Sequence, residues 1–338
     1  MKPRCGSALI LALVTLVVLS ALVFSFMFHI QLEGELATRY RFRMKAQSLA
    51  QAGTEYAKFL LVKSLRPGAE PEEEYGEDFF IRLQHLNRGL ALSGLEVPMD
   101  EGTFTLYIQP ESGRRNINRL SREDWEALLE ATGVPEQLHP ELIDCFLDFT
   151  DGNDLTRLNG AESDDPFYVD RGYAVKNAPI DTLDELLLIK GFTRAIVHGG
   201  TLHEFWDMPR VRVSGIAPLL TVYGDGRLNV NTASREVLMT LPGILEEQVE
   251  RLLEGRLGID GIPGTELDGF RSPAEAAAFA NLPPEAAALF TTSERQYIRV
   301  TSIGEAGGVR SAIWVIYEQS GQDLLTIFHR EADLPQAP

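Results

Sequence analysis

A long stretch of the chain, from Ser7 to Gln31, contains no Asp, Glu, Lys or Arg. A helix needs roughly 20 apolar residues to cross a bilayer, so this stretch is long enough to be a membrane span. Lys2 and Arg4 precede it, which favours a cytoplasmic N-terminus and export of the rest of the chain. A cleaved secretory signal has an apolar region of only about 7–15 residues and a small-x-small cleavage site, which the following LEGELATRYRFR lacks. The sequence therefore predicts a single-pass membrane anchor.

Apolar residues continue after this segment at spacings of mostly three or four, as on one face of an amphipathic helix. The set is Leu32, Leu36, Tyr40, Ala46, Leu49, Ala50, Gly53, Tyr56, Ala57 and Leu60. Pro67 and Gly68 end the pattern. We expect one helix from Ser7 to Arg66, about 90 Å long at a rise of about 1.5 Å per residue. The alternative is a membrane anchor followed by a separate helix.

The charge balance excludes several classes of partner and activity. The sequence contains 31 Lys and Arg against 49 Asp and Glu, a net charge of −18. Such a body repels the phosphates of nucleic acids and anionic lipids, so neither is expected as a main partner. The six His residues show no HExxH spacing and no GxSxG phrase occurs. The sequence therefore predicts no enzyme and no small-molecule substrate.

Strand patterns flank a helical, acidic middle that runs roughly from Leu120 to Pro218. Alternating apolar residues predict strands at Gly102–Gln109, Gln296–Gly304, Val309–Gln319 and Leu324–Glu331. Gly-containing turns join the last three, which predicts an antiparallel meander.

Two similar phrases, SGRRNINRLSRE and GDGRLNVNTASRE, bracket the helical middle. Ser121 and Ser234 within them are candidate helix N-caps. The similarity predicts a helical domain inserted into a loop, with its two ends on neighbouring strands.

The short basic N-terminus that ends in Gly6, followed by a long apolar helix, resembles the class III signal of type IV prepilins and type II secretion pseudopilins. This resemblance implies cleavage by prepilin peptidase between Gly6 and Ser7. Most of these families carry Glu at the fifth mature position, where this chain has Leu11. By the resemblance, that Glu pairs with a neighbour's N-terminal amine, a contact that a subunit at the top of a fibre does not need.

The rest of the chain resembles the K component of type II secretion, a large minor pseudopilin. The resemblance is carried by HPELIDCFLDFTDGNDLTRLNGAESDDPFY, KNAPIDTLDELLLIKGF, LLTVYGDGRLNVNTASREVLMTLPG and the LNVNTA run at Leu228–Ala233. The implied fold class is α+β, a long N-terminal helix packed on an antiparallel sheet with an inserted all-helical domain. The implied domains are a leader at 1–6, the helix at 7–66, the pseudopilin α/β domain at 67–118 and 219–338, and the insertion at 119–218.

The same resemblance implies a place and partners. The chain would lie at the tip of a periplasmic pseudopilus with the I and J minor pseudopilins and the major pseudopilin, anchored in the inner membrane. There it would initiate or cap the fibre and support protein export across the outer membrane. The apolar stripe of the helix would bury against the helices of neighbouring subunits. A type IV pilus minor pilin is the alternative, but such proteins retain the Glu that Leu11 replaces.

Acidic residues crowd the sequence after HPELIDCFLDF, and calcium takes roughly six to eight oxygen ligands from such residues. A true EF-hand is excluded because Leu155 occupies a ligand position. The matching loop of the K family is associated with calcium, so the resemblance implies a structural calcium site. Its implied ligands are Asp148, Asp151, Asn153, Asp154, Glu162 and Asp165. The alternative is a set of helix-terminal acids that face solvent.

Two phrases, LLLIKGF and LMTLPGI, resemble helix-hairpin-helix turns, which in DNA-binding proteins present backbone N–H groups to phosphate. A membrane-tethered DNA-uptake protein would use them in this way, but it requires a basic body. We therefore interpret Gly191 and Gly243 as tight turns between packed helices.

Overall fold

The computed structural model describes residues 5–65, 76–202, 210–293, 295–321 and 323–333. Its first helix, α1, is continuous over Cys5–Ser64, 60 residues, and contains no Pro to interrupt its hydrogen bonds. This confirms a single long helix and sets aside an anchor followed by a separate helix. Residues 1–4 of the predicted leader lie outside the described residues, as do Pro67 and Gly68.

Shorter helices follow α1 in the described chain. They are α2 (Gly76–Asn87), α3 (Arg122–Ala131), α4 (His139–Thr150), α5 (Pro166–Val169), α6 (Arg194–His198), α7 (Arg235–Leu238), α8 (Glu246–Gly255) and α9 (Pro273–Phe279). Both predicted N-caps are confirmed. Ser121 accepts from the backbone N–H of Asp124 at the start of α3, and Ser234 accepts from that of Val237 at the start of α7.

The strands of the described chain are β1 (Leu92–Met99), β2 (Gly102–Pro110), β3 (Arg115–Asn116), β4 (Gly200–Leu202), β5 (Val211–Val213), β6 (Leu220–Thr221), β7 (Leu228–Asn229), β8 (Phe290–Thr291), β9 (Tyr297–Ala306), β10 (Val309–Ser320) and β11 (Asp323–Asp333). An antiparallel five-stranded sheet has the order β1-β2-β9-β10-β11. The predicted strands and meander are therefore confirmed. The sequence does not predict β1, because Gly94 and Pro98 interrupt its alternation.

The second half of α1 packs on one face of this sheet, and glycines at the contact let the two backbones approach closely. A Cβ on Gly304 would lie 2.0 Å from the carbonyl oxygen of Ala46. A Cβ on Gly53 would lie 2.1 Å from Ser302 Oγ. A larger side chain at Gly304 meets the backbone of α1 and must push the helix away from the sheet, whereas at Gly53 the nearest atom belongs to a side chain.

This packing corrects one expectation about the apolar stripe. Ala46, Leu49, Ala50, Ala57 and Leu60 are buried in the core that α1 forms with the chain's own sheet. They are therefore not available to the helices of neighbouring subunits, and that expectation is wrong for this part of the stripe. The sequence shows that a helix face is apolar, but not which surface covers it.

A second hydrophobic core lies in residues 111–202 and 210–293, which we call the helical unit. Its buried side chains come from before residue 220, such as Trp125 and Tyr168, and also from α7, α8 and β8, such as Val249 and Phe290. One core therefore spans the predicted boundary after residue 218, because α7 and α8 pack their apolar faces against the same cluster of buried side chains. Within this unit β3 pairs with β6 just before the second bracketing phrase. Asn116 also donates from Nδ2 to the carbonyl of Gly224 at 2.7 Å, so the two bracketing phrases of the sequence meet.

The helical unit is attached at the end of the sheet that is far from the apolar part of α1. At the near end, Gly307 lies against the ring of Phe42. At the far end, Pro110 pairs with Ile298, and Ile298 lines the same small cavity as Ser64 of α1. Phe42 and Ser64 are separated by about 33 Å along the helix, at a rise of about 1.5 Å per residue. The chain enters the helical unit after Pro110 and leaves it before β9, so this unit lies beyond the far end of the sheet.

Candidate functional site

The N-terminal part of α1 extends away from both cores. Within Leu9–Ser64 this helix is long and apolar enough to cross a membrane, with a mean hydropathy of 2.8 over an 18-residue window that is 0 % buried inside the protein. These properties fit a single-pass anchor. Leu32, Leu36 and Tyr40, which follow the apolar segment, are exposed as well. The described helix begins at Cys5, so Gly6 and Ser7 lie in its first turn, and cleavage between them stays a prediction.

The predicted calcium ligands lie in the loop after α4, and an arginine lies among them. Arg157 Nη1 donates to Asp148 Oδ1 at 2.6 Å and to Asp151 Oδ2 at 2.5 Å. The backbone N–H of Arg157 donates to Asp148 Oδ2 at 3.1 Å. Asp148 is completely buried near the end of α4, so its charge requires a positive partner. In the described loop Arg157 provides that partner.

Glu162 is buried beside these acids without a hydrogen-bond donor. Among the described residues neither of its side-chain oxygens has a partner, although only 2 % of the residue is exposed. Burial, followed by the negative charges of Asp148, Asp151 and Asp154, raises the pKa of Glu162 to about 7. A buried carboxylate without a donor is unfavourable unless it takes up a proton or a cation.

Two more predicted ligands lie within the same loop. Asn153 donates from its backbone and side-chain amides to Asp151 Oδ1, at 3.2 and 2.8 Å. Asp154 Oδ1 accepts from Asn177 Nδ2 at 2.9 Å. Both contacts are exposed, so the oxygens of this part of the loop can turn toward an ion at little cost.

Asp165 is held elsewhere. Its Oδ2 binds Lys190 Nζ at 2.8 Å, and its Oδ1 caps α5 by accepting from the backbone N–H of Phe167 at 2.8 Å. Burial opposes ionisation, but the hydrogen bonds from Lys190 and Phe167 outweigh it and lower the pKa of Asp165. This carboxylate cannot join an ion in the loop without breaking both contacts.

The loop contains the carboxylate oxygens that calcium prefers as ligands, but they are not arranged around an open position for an ion. No three His, Cys, Asp or Glu side chains in the described chain are grouped so as to hold a metal ion. Arg157 already neutralises Asp148 and Asp151. Gly160 leaves room for the Asp148 carboxylate, since a Cβ there would lie 1.8 Å from Asp148 Oδ2. The unpartnered oxygens of Glu162 fit a cation, and calcium at this loop stays a prediction.

Two residues of the acidic region were not identified by sequence reasoning, namely Arg157 and Asp144. Asp144 accepts from Arg122, and its Oδ2 accepts from the backbone and side-chain amides of Asn159 at 3.2 and 2.9 Å. Burial raises the pKa of Asp144, but the hydrogen bonds from Arg122 and Asn159 outweigh it and hold this pKa below its usual value. The sequence signal that could have identified Asp144 is its spacing from Asp148, since residues four apart lie one helical turn apart on the same face.

The Asn residues of the LNVNTA run tie distant segments together. The completely buried Asn229 donates from Nδ2 to the carbonyl of Gly89 at 3.1 Å. Asn231 donates from Nδ2 to the carbonyl of Phe270 at 3.0 Å and accepts from the backbone N–H of Phe270 at 2.8 Å. An amide side chain both donates and accepts, so it can pair with a peptide group in this way. The run therefore has a structural role.

Gly191 and Gly243 lie in turns before α6 and α8, with φ of 87° and 71°. This left-handed backbone favours glycine. A Cβ on Gly191 would also lie 3.0 Å from Leu142 Cδ2, so the turn packs closely on α4. The left-handed backbone supports a tight turn at both glycines, and the close packing supports it at Gly191 alone, since a Cβ on Gly243 would have no atom within 4 Å.

Comparison with known protein families identifies the helical unit. Two family models, both described as type II secretion system (T2SS), protein K, match residues 106–199 and 228–293. The chain belongs to the protein K family of type II secretion. Protein K is a minor pseudopilin, a structural subunit, which favours this assignment over a type IV pilus minor pilin or an anchored enzyme.

The fold of this protein K family member also resembles a solved structure. A chain in the crystal structure of the GspK-GspI-GspJ complex from the enterotoxigenic Escherichia coli type 2 secretion system matches it with a TM-score of 0.55 and 14 % sequence identity. The match covers 90 % of this chain and 98 % of that chain. At this identity the likeness establishes the fold, a long apolar helix packed on an antiparallel sheet with added helices. A comparison with curated proteins gave no match.

Proposed function

We propose that this protein K family member lies at the tip of the type II secretion pseudopilus, where it initiates or caps the fibre and supports protein export across the outer membrane. The attachment of the helical unit carries this proposal. The unit joins the sheet at Pro110 and Tyr297, at the end far from the membrane segment. A subunit inside a helical fibre has another subunit above it, and a unit of this size would collide with that neighbour. At the top of the fibre it has free space.

Leu11 supports the same position. In most related pilin families the residue at this place is a Glu, which by the resemblance pairs with the N-terminal amine of a neighbour. A buried carboxylate in the membrane without such a partner is strongly unfavourable, and Leu removes that penalty. A subunit that needs no such contact is suited to the top of a fibre.

The N-terminal segment suggests where the protein is located and how its leader is removed. We propose that prepilin peptidase cleaves between Gly6 and Ser7, and that α1 holds the chain in the inner membrane. With Lys2 and Arg4 on the cytoplasmic side, the sheet and the helical unit lie in the periplasm. The −18 charge of the chain fits a body that binds neither nucleic acid nor anionic lipid.

The proposed partners are the I-type and J-type minor pseudopilins, with the major pseudopilin below them. GspK, GspI and GspJ form the solved complex, and one chain of that complex has the fold of this protein. On this chain Leu32, Leu36 and Tyr40 form an exposed apolar stripe at spacings of four residues, outside the membrane segment and before the sheet. Residues four apart lie on one side of a helix, so this stripe can pack against the helices of partner subunits.

We also propose a structural calcium ion in the loop after α4. Asp148, Asp151, Asn153, Asp154 and Glu162 would hold it, and Arg157 would leave the two aspartates when it binds. Bound calcium would neutralise the acids there and fix the loop path. Asp165, although predicted as a ligand, would remain with Lys190.

Co-expression with the partners tests the proposed function. The full chain is produced with the I-type and J-type minor pseudopilins of the same genome, solubilised and captured by an affinity tag. We expect both partners to copurify, and Leu36→Glu to release them. Glu35→Gln, which changes an exposed neighbouring residue, should retain them. If neither partner copurifies with the unaltered chain, the proposal is wrong.

A further inference from the structure

Four cations lie on α1 between the membrane segment and the sheet. Arg39, Arg41, Arg43 and Lys45 occupy alternate positions of this part of the helix. No Asp or Glu occurs in the sequence from residue 36 to residue 54. The chain as a whole has a net charge of −18, so the sign of the charge is reversed here.

An apolar ridge runs through these cations. It continues the exposed stripe by one residue and consists of Leu32, Leu36, Tyr40 and Met44, all exposed. Residues four apart form a ridge that can pack into the groove of another helix. At 3.6 residues per turn, sequence neighbours are displaced by about 100° around the helix. Arg39 therefore flanks the ridge on one side of Tyr40, and Arg41 flanks it on the other.

Two of the four cations have contacts within the protein that lead away from this ridge or are already satisfied. Lys45 Nζ lies 2.5 Å from Glu101 Oε1, at the turn between β1 and β2. Arg43 also has a contact of its own. The charges that remain for a partner are those of Arg39 and Arg41, which we call the basic pair.

The basic pair has no carboxylate partner in the part of the chain that the structure describes. Arg39 makes no ion pair or hydrogen bond there, and the Cζ atom of Arg41 lies 5.5 Å from the centroid of the Phe42 ring. Phe42 is where α1 reaches the turn between β9 and β10, against Gly307. Both arginines precede Phe42 on the helix and are exposed. A guanidinium has five N–H donors in a fork that matches a carboxylate, so both can receive one.

The nearest acids of α1 lie closer to the membrane. Glu33 is six residues before Arg39, about 9 Å along the helix, and its Oε1 lies 3.9 Å from His29 Nε2. Glu35 is one turn before Arg39, but the two form no ion pair among the described residues. Exposed pairs at this spacing stabilise a helix only weakly even when they form. From Leu36 onward, this part of α1 therefore has a net positive charge.

The acids at the near end of the sheet do not neutralise the basic pair either. Glu305 lies 3.8 Å from Arg310, and Glu331 accepts from Gln47 Nε2 at 2.5 Å. Asp100, in the turn between β1 and β2, forms no ion pair with either arginine in the described ranges.

A second copy of this chain does not fit the ridge. Two copies with the same anchor would stand side by side at the same height in the membrane. Arg39 and Arg41 of one copy would then face the same cations of the other, and like charges across a helix interface disfavour pairing. The occupant is therefore a different chain.

A protein helix also fits better than lipid phosphate. Arg39 lies eight residues after Gln31, about 12 Å along the helix. The headgroup layer on each side of the hydrocarbon core is only about 5–8 Å thick. An anionic lipid surface would in addition repel the acidic sheet and helical unit.

We propose that the apolar ridge and the basic pair bind a helix of a partner subunit that carries carboxylates beside its own apolar stripe. Those carboxylates lie level with Tyr40 and accept from Arg39 and Arg41. The inference rests on the proposed assembly with minor pseudopilins and names the chemistry of the face that a partner presents. The ridge supplies affinity, and the basic pair selects the partner and fixes its height along α1.

Titration calorimetry of the full chain in nanodiscs of phosphatidylcholine, a lipid without net charge, tests the proposal. The probes are two helical peptides of three heptads with Leu at positions a and d. One carries Glu at positions e and g and the other carries Lys there, so neither pairs with itself. We expect the Glu peptide to bind more tightly than the Lys peptide.

Two double variants separate the basic pair from charge in general. Arg39→Gln with Arg41→Gln should weaken binding of the Glu peptide about tenfold. Arg194→Gln with Arg212→Gln makes the same change at exposed positions of the helical unit and should leave this binding unchanged. Arg39→Glu with Arg41→Glu should reverse the preference, so that the Lys peptide binds more tightly. The proposal is overturned if the unaltered chain does not prefer the Glu peptide, if both Gln variants weaken it equally, or if the Glu variant keeps the original preference.

Copurification distinguishes failure of this inference from failure of the proposed function. Failure of the unaltered chain to retain the I-type and J-type minor pseudopilins contradicts the proposed function, and the peptide preference still decides this inference. If the unaltered chain and the Arg39→Gln, Arg41→Gln variant retain both partners equally at raised salt, the proposed function stands and this inference is overturned.

The lipid alternative has its own readout. The full chain is released from nanodiscs that contain phosphatidylglycerol, and native mass spectrometry counts the lipids that stay bound. The unaltered chain and the Arg39→Gln, Arg41→Gln variant should retain the same number. If the variant loses bound phosphatidylglycerol, lipid phosphate occupies the basic pair and the proposal is overturned.

Discussion

Arg299 of β9 donates a hydrogen bond from Nε to Oε1 of Glu111, whose carboxylate is completely buried where the sheet joins the helical unit. The other oxygen of Glu111 accepts from Thr221 Oγ1 at 2.6 Å, and Arg114 Nη1 lies 3.3 Å from Oε1. Burial, followed by the charge of Arg299, lowers the pKa of Arg114 to about 10. One carboxylate therefore joins the sheet, the start of the helical unit and its returning strand β6.

Removing this carboxylate should destabilise the junction. We expect Glu111→Ala to lower the free energy of unfolding by about 3 kcal/mol, because it leaves the two half-buried guanidinium groups of Arg114 and Arg299 without their shared negative partner. Glu130→Ala, at an exposed position on α3, should change it by less than about 0.5 kcal/mol. Urea unfolding of the full chain in detergent, followed by circular dichroism, measures both variants. Equal effects would show that the junction does not depend on Glu111.

The close contact of α1 with the sheet gives a second prediction. Gly304→Ala should destabilise the protein by about 1–3 kcal/mol, because the new methyl group meets the backbone of α1 rather than a side chain that can move aside. Gly34→Ala introduces the same methyl group at an α1 position with no atom within 4 Å. There we expect no loss, since Ala favours a helix over Gly by up to about 1 kcal/mol. Thermal unfolding compares the two, and a tolerated Gly304→Ala would argue against the described approach.

The acidic loop gives a third prediction. Arg157→Gln removes the internal cation that competes for Asp148 and Asp151, so we expect calcium to bind on the order of tenfold more tightly than to the unaltered chain. Glu162→Gln should weaken calcium binding, because it removes the carboxylate that has no other partner. Titration calorimetry with calcium chloride measures both. If neither the unaltered chain nor Arg157→Gln takes up calcium, the acids serve only as charges at the end of a helix.

Asp144 gives a prediction about pH. Its pKa is lowered in the folded protein, so its contribution to stability is present above the unfolded pKa and is lost as pH falls through the folded pKa. We expect Asp144→Asn to cost about 1 kcal/mol at pH 7, a modest value because Arg122 is partly exposed. The difference from the unaltered chain should shrink steadily below about pH 4, near the ordinary Asp pKa. Urea unfolding over this pH range checks the trend, and a difference independent of pH would exclude ionisation of Asp144 as its cause.

Structural features that depend only on neighbouring residues can be predicted from this sequence, whereas those that depend on distant residues cannot. α1 and the strands β9, β10 and β11 are predictable because their apolar residues repeat with the period of a helix or a strand. Ser121 and Ser234 are predictable because an N-cap needs only its own helix. β1 is not predictable, because Gly94 and Pro98 interrupt its alternation of apolar residues. As an edge strand it tolerates both.

The acidic loop shows that composition can locate a group of acidic residues but not predict their partners. The sequence identifies the crowd of acids after α4, yet the separation of Asp165 from it depends on Lys190, which lies 25 residues later. The role of Arg157 depends on the path by which the loop returns to Asp148. Neither contact follows a sequence period or a known motif, so neither can be predicted from the sequence alone.

The two ends of the apolar stripe on α1 should respond differently to the same substitution. Leu49 is 8 % exposed and packs in the core with the sheet, whereas Leu36 is 57 % exposed. Leu49→Glu buries an unpaired carboxylate and should lower the free energy of unfolding by more than about 3 kcal/mol. Leu36→Glu should leave the fold intact but prevent incorporation beside the I-type and J-type minor pseudopilins. Limited proteolysis reports on the fold and copurification on assembly. If Leu49→Glu stays resistant to protease and loses only its partners, then this residue faces other subunits and the packing of α1 on its own sheet is incorrect.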